Sequence, residues 1–182
     1  MIKQTILILD FGSQYTQLIA RRIRENKVFS RIIPYNTPAK EIAAFASKGL
    51  IISGSPASVT DKKSPYPDKG IFKLGIPILG ICYGMQAITE MLGGKVRHTK
   101  EREYGKVELF IDDNRDLFAH LPGNLTCWAS HGDYVKKVPA GFHISAHTLN
   151  TPIAAISNKN KKIFAVQFHP EVTHTDLGSQ IL

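Results

Sequence analysis

Apolar residues in the first half of the chain fall into short unbroken runs separated by amphipathic stretches. Thr5-Ile6-Leu7-Ile8-Leu9 predicts a buried strand, and residues 15–25 carry apolar positions at helical spacing. Residues 29–34 predict a second strand. Thr37 and Pro38 predict an N-cap and a first helical position for a helix running toward Phe45. Gly49-Leu50-Ile51-Ile52 is a third apolar run and Ile76-Pro77-Ile78-Leu79-Gly80-Ile81 a fourth. Good helix formers follow over 85–92, and Gly93-Gly94 stops them. Strands alternating with helices predict an α/β fold, a mostly parallel sheet covered on both faces with ligands at the carboxyl ends of the strands. Beyond Lys95 the pattern changes to short strands with polar turns, at 105–111, 141–148, 153–157 and 163–168. That half predicts antiparallel additions to the sheet.

No repeat, low-complexity tract or linker divides the chain, so one domain over residues 1–182 is expected. An apolar-periodic helix begins within 177–182, and the expectation is a domain excised from a longer polypeptide. At 182 residues and 43% hydrophobic content, the chain can bury a core without disulfides or metal. Cys82 and Cys127 show neither CxxC spacing nor partner histidines in ligand order, so no metal site is expected. The net charge of +8 is dispersed, and its densest groups, Arg21-Arg22 and residues 159–162, lack interleaved aromatics. A solvated or partner-facing surface is expected, with no nucleic-acid partner. No stretch has the pattern of a secretory signal or a membrane span, which implies no membrane partner and a cytoplasmic location.

The candidate chemistry centres on Gly80-Ile81-Cys82-Tyr83-Gly84. A cysteine between a predicted strand and a predicted helix, with glycines at minus two and plus two, has the nucleophile-elbow spacing with sulfur in place of the serine oxygen. Such a turn is sharp, and a Cβ at either glycine would clash. A helix N-terminus directed at the sulfur favours a thiolate. The N–H of Tyr83, the residue after the nucleophile, is the one an elbow offers to a developing oxyanion.

A cysteine nucleophile needs a base, and the base needs an orienting group. Gln167-Phe168-His169-Pro170-Glu171 follows a strand-like run, so His169 lies at a strand mouth. Residues two apart in extended chain face one way, which lets Glu171 hold the His169 ring. Pro170 stiffens the spacer. His131 is a competing base, but Asp133 is the one carboxylate near it at strand-like spacing. Asp10 has no second carboxylate and no GxGxxG loop beside it, and is expected to bond within a turn.

Gly80 to Gln86 together with His169-Pro170-Glu171 resemble the signature of class I glutamine amidotransferases of the Cys-His-Glu type. Three further stretches narrow the resemblance to the branch whose ammonia serves amination of XMP to GMP. They are Leu7-Ile8-Leu9-Asp10-Phe11-Gly12-Ser13-Gln14-Tyr15, Trp128-Ala129-Ser130-His131-Gly132-Asp133 and Glu171-Val172-Thr173-His174-Thr175. The likeness covers almost the whole chain. It implies a flavodoxin-like arrangement and hydrolysis of L-glutamine through a γ-glutamyl thioester on Cys82, with His169 and Glu171 completing the triad. It also implies that Gly54 supplies the second oxyanion donor beside Tyr83, and that Gln86 contacts the substrate. Ser130 and His131 would hold the α-amino and α-carboxyl groups, largely through main-chain atoms. No cofactor is implied in this domain; ATP and Mg2+ would belong to a partner, an ATP-pyrophosphatase synthetase domain or subunit. The chain itself has no SGGxDS-like loop. One departure is visible, Ser55 where the family usually has a second glycine. The segments 13–15, 131–133 and 173–175 are expected to be loops near the strand ends. Two other readings share the elbow: a γ-glutamyl peptidase-like cysteine hydrolase, and a flavodoxin-like binding module with a reactive thiol.

Overall fold

The computed structural model describes residues 4–182, less the side chains of residues 99–101. The expected alternation is present as β1 (Thr5–Asp10), α1 (Thr16–Glu25), β2 (Phe29–Pro34), α2 (Ala39–Ala44), β3 (Gly49–Ile52), β4 (Ile78–Ile81) and α3 (Tyr83–Met91). The second half contributes β5 (Lys95–Ile111), β6 (Asn124–Lys137), β7 (His143–His147), β8 (Ala155–Asn158), β9 (Ile163–Val166) and α4 (Gly178–Ile181). Among the described residues these strands form one nine-stranded sheet in the order β2-β1-β3-β4-β9-β8-β7-β5-β6. The first five in that order pair in parallel. The rest extend the sheet antiparallel, as the change of pattern after Lys95 predicts.

Alternation along each parallel strand divides the core in two. Leu7, Leu9, Leu50 and Ile52 point to the face covered by α2 and α3, where they meet Ile42, Met85 and Ile88. Ile8 and Ile51 point to the other face, against Ile19, Ala20 and Ile23 of α1. Both faces being covered explains why these strands are apolar throughout.

Three expectations are corrected. Helix α2 is not capped by Thr37, whose hydroxyl bonds back to the Pro34 carbonyl at 2.7 Å. Pro38 takes the N-cap position, and the free Ala39 N–H donates at 2.9 Å to Asp68, a cap supplied from 29 residues away. The strands after Lys95 are not all short: β5 has 17 residues and β6 has 14, joined as a long antiparallel pair. Segment 131–133 is therefore strand, not loop. Strand β6 alternates buried and part-buried residues along its length, but its inward positions include His131 and Asp133. Polar residues on the buried face broke the hydrophobic period by which a strand is recognised. Among the described residues no helix is long and apolar enough to cross a membrane.

Candidate active site

Cys82 sits between β4 and α3 with φ +53° and ψ −106°. That conformation costs an L-residue about 1–3 kcal/mol and persists only where its surroundings impose it. Its N–H donates to the Val166 carbonyl at 2.8 Å, and its own carbonyl accepts from Met85 and Gln86 at 3.0 and 3.2 Å. The expected glycines are required by close approach. A Cβ on Gly84 would lie 2.2 Å from the Ile52 carbonyl oxygen, and one on Gly80 2.7 Å from the Gly84 carbonyl carbon. Helix α3 starts directly at Tyr83, two residues before the sequence pattern places it, so the sulfur stands at the helix N-terminus. Sγ lies 3.8 Å from the Ser130 carbonyl and accepts from Gln167 Nε2 at 3.7 Å.

His169 and Glu171 meet as the two-residue spacing predicts, with His169 Nδ1 2.7 Å from Glu171 Oε1. A carboxylate only accepts, so Nδ1 is the donor and Nε2 is left for the Cys82 sulfur. Burial works against the His169 cation, but the charge and hydrogen bond of Cys82, with the Glu171 carboxylate, outweigh it and hold its pKa well above the ordinary histidine range. Tyr15 packs edge-on against the ring at 4.9 Å. The His169 main chain is clamped on both sides: its N–H donates to the Trp128 carbonyl of β6 at 2.9 Å, and its carbonyl accepts from the Thr175 hydroxyl at 2.6 Å, which in turn accepts from the Trp128 N–H at 3.0 Å. Glu171 is fully buried, its main-chain carbonyl is held by Arg22 Nε at 2.9 Å, and Oε2 has no partner among the described residues.

A cavity of about 520 Å3 opens at the carboxyl ends of the strands and is lined by Cys82 and His169. Gly54, Tyr83, Gln86, Ser130 and His131 all reach it, so of the residues expected to act on or bind the substrate only Glu171, which lies behind His169, does not line it; segment 173–175 does not line it either. Gly54 faces the His169 ring, since a Cβ there would come 3.5 Å from Cε1. The first N–H groups of a helix have no partner within it, and Tyr83 is the first residue of α3. Ser55 has no left-handed backbone, and its hydroxyl accepts from the Ala57 N–H at 3.2 Å, so the departure from glycine is accommodated locally. Asp10 accepts from the Gly12 N–H and the Thr16 hydroxyl, both at 2.9 Å, the turn role expected of it. Among the described residues no group of three His, Cys, Asp or Glu side chains is disposed to hold a metal ion.

His131 is not free to act as the base. Its Nδ1 is 3.0 Å from the Asp133 main-chain oxygen, and its Nε2 is 3.3 Å from Glu103. Sequence reasoning missed Gln167, which bridges Cys82 and the Gln86 amide. The signal was there: Gln167 stands two before His169, so the same-face rule that finds Glu171 also reaches back to it. Glu103 and the contacts of Asp133 with Ser58 and His98 had no such signal, because cross-strand and loop pairing create them.

Two outcomes follow from this geometry. Gly84→Ala should lose about 1–3 kcal/mol in chemical denaturation through overpacking, whereas Gly123→Ala, with open space around it, should stay within about 0.5 kcal/mol. In an NMR titration the His169 ring of the wild type should hold its proton well above the ordinary histidine range. In Cys82→Ala its midpoint should fall, because the charge interaction and hydrogen bond that raise it are removed. An ordinary midpoint in the wild type, or no change on substitution, would mean that the ring does not face the sulfur.

The family model for class-I glutamine amidotransferases matches residues 7–182. A curated relative from Gloeothece citriformis, named GMP synthase (glutamine-hydrolyzing), is 54% identical over 180 residues, which are 99% of this chain and 33% of that protein. The protein of the same name from Acetivibrio thermocellus is 52% identical over 182 residues, all of this chain and 36% of its own length. The chain thus spans about a third of the length of the curated relatives it matches. Among solved structures, a Thermoplasma acidophilum protein described as a candidate GMP synthase subunit superposes with TM-score 0.88 at 30% identity, covering 100% of this chain and 91% of that one. A Thermotoga maritima glutamine amidotransferase shares the fold, with TM-score 0.72 at 21% identity over 94% of this chain and 78% of that one. The flavodoxin-like α/β sheet, its antiparallel extension and a family match over nearly every residue agree: the chain belongs to the class-I glutamine amidotransferases.

Proposed function

We propose that this chain hydrolyses L-glutamine with Cys82 as nucleophile, and that it is the glutaminase part of a GMP synthase. The observation that carries the hydrolysis is the buried Glu171–His169 pair aimed at a cysteine on a strained elbow, inside a cavity at the strand ends. The identity to GMP synthases over nearly the whole chain supports the assignment to that enzyme.

The steps follow from the geometry. The Cys82 thiolate attacks the side-chain amide carbon of glutamine, and the carbonyl oxygen becomes an oxyanion facing the N–H groups of Tyr83 and Gly54. As the tetrahedral intermediate collapses, His169 Nε2 gives its proton to the departing nitrogen, which leaves as ammonia, and a γ-glutamyl thioester remains. His169, now neutral, takes a proton from water as that water attacks the thioester. Glutamate leaves and the thiolate–imidazolium pair is restored. Glu171 keeps the ring in the tautomer that directs Nε2 at the sulfur throughout. Gln86, Ser130 and His131 line the glutamine end of the cavity and orient the substrate. The ammonia is then consumed by an ATP-pyrophosphatase synthetase part, which uses ATP and Mg2+ to aminate XMP to GMP.

Cys82→Ala should lower glutamine hydrolysis by about three orders of magnitude or more with the fold intact. Cys127→Ala should keep activity, because burial and then the charge of Glu103 push the Cys127 thiol up to about 12. His169→Ala should be nearly as severe as Cys82→Ala, and Glu171→Ala milder. Equal loss from Cys127→Ala at an unchanged thermal transition would contradict the choice of nucleophile. The role in GMP synthesis is tested by measuring ammonia release from this chain alone, then with a GMP synthase synthetase part, ATP and XMP. A rise on addition is expected, because catalytic groups that reach full alignment only in the partnered state avoid wasting glutamine. The same rate in both conditions would overturn the coupling.

A further inference from the structure

Glu103 on strand β5 is a buried acid that the hydrolysis leaves unused. Glu103 is 4% exposed, although its neighbours Arg102 and Tyr104 are turned outward. A carboxylate that deep is costly unless its oxygens are satisfied. Oε1 accepts from the Thr148 hydroxyl at 2.7 Å, Oε2 accepts from the Thr151 hydroxyl at 2.6 Å, and Oε2 lies 3.3 Å from His131 Nε2. Burial alone would raise its pKa, but these three donors outweigh burial and lower it. The two threonines are themselves locked together, since the Thr148 N–H donates to the Thr151 carbonyl and the Thr151 N–H to the Thr148 hydroxyl, both at 2.9 Å. One carboxylate therefore ties β5, β6 and the turn between β7 and β8.

The place of this tie is informative. Glu103 and His131 are direct register partners, and the register shifts between His98 and Glu103. Over that shift β5 advances five residues while β6 advances two, from Asp133 to His131, so the pairing is irregular there. The β5 side of the pairing is thus irregular opposite residues 130–133, which line the cavity. The Ser130 carbonyl is the group 3.8 Å from the Cys82 sulfur. The Asp133 carbonyl accepts from both His131 Nδ1, at 3.0 Å, and the Gln86 amide, at 3.1 Å. With Nδ1 on the Asp133 carbonyl and Nε2 on Glu103, the His131 ring is a strut between them.

We infer that Glu103 is a positioning residue for substrate: through His131 it fixes residues 130–133 of β6, the wall of the cavity that shapes the glutamine site. This second His–carboxylate pair is then not a reserve catalytic dyad but the support of a binding wall, beside an irregular stretch of the β5–β6 pairing. The inference rests on the glutaminase function proposed above. Cys82, His169 and Glu171 stand on the β4–α3 turn and the segment after β9, so loosening Glu103 should impair recognition of a glutamine-shaped molecule more than reactivity of the sulfur.

The test compares inactivation of the whole chain by 6-diazo-5-oxo-L-norleucine, a glutamine-shaped electrophile, with alkylation by iodoacetamide, which has no amino-acid end to recognise. In Glu103→Gln the ratio of the two rates should fall about tenfold or more, as expected for disrupting a buried charged hydrogen bond, while the iodoacetamide rate stays within about twofold. The KM for glutamine should rise with little change in kcat. The double variant Thr148→Val/Thr151→Val, which keeps the His131 contact but frees the carboxylate from the turn, should move the ratio the same way by less. It also carries the test if Glu103→Gln does not fold. An unchanged ratio in the folded variants, or both rates falling together with the thermal transition, would overturn the inference. A wild type that shows no preference for the glutamine-shaped reagent would instead overturn the glutaminase function, which keeps the two failures apart.

Discussion

Cys82 is held at φ +53° and ψ −106°, and the backbone around it is arranged to leave no other choice. Its N–H is tied to β9 through Val166, and its carbonyl starts α3 by accepting from Met85 and Gln86. Helix α3 lies so close to β3 that only a glycine at position 84 clears the Ile52 carbonyl. The strain is offset by the parallel sheet itself, because the three strands that grip the turn are neighbours in the order β3-β4-β9. From that one fixed sulfur the rest of the site is laid out. The chain after β9 brings Gln167 and His169 to it, the loop after β3 brings Gly54, and β6 brings Ser130.

The same side chains behave differently in this molecule according to what surrounds them. Cys82 faces His169 and a cavity, whereas Cys127 faces apolar neighbours and the charge of Glu103, and its thiol is pushed up to about 12. His169 has one nitrogen on Glu171 and the other toward the sulfur, the arrangement that the proposed hydrolysis uses to carry a proton. His131 has both nitrogens committed, to a carbonyl and to Glu103, which makes it a strut. Two cysteines and two buried histidine–carboxylate pairs thus divide between chemistry and support by environment rather than by type.

Much of this was legible in the sequence, and what was not has identifiable causes. The parallel half was readable because strands buried on both faces are continuous apolar runs, and the elbow because its glycines are demanded by local geometry. The pairing of His169 with Glu171 was readable because extended chain places residues two apart on one side. Strand β6 was missed because His131 and Asp133 occupy buried positions that an amphipathic strand would give to apolar residues. The cap of α2 by Asp68 and the tie of Glu103 to His131, Thr148 and Thr151 depend on contacts 28 to 48 residues apart in sequence, and no local pattern carries them.

The central claim, that glutamine is opened by covalent attack of the sulfur on the elbow, can be observed directly. The chain is mixed with glutamine, quenched in acid on the timescale of a single turnover, digested, and its peptides are weighed. The account predicts one γ-glutamyl group on the peptide carrying Cys82, appearing before glutamate is released and absent from the Cys127 peptide. Release of glutamate and ammonia with Cys82 unmodified throughout, or with the acyl group on another residue, would contradict it.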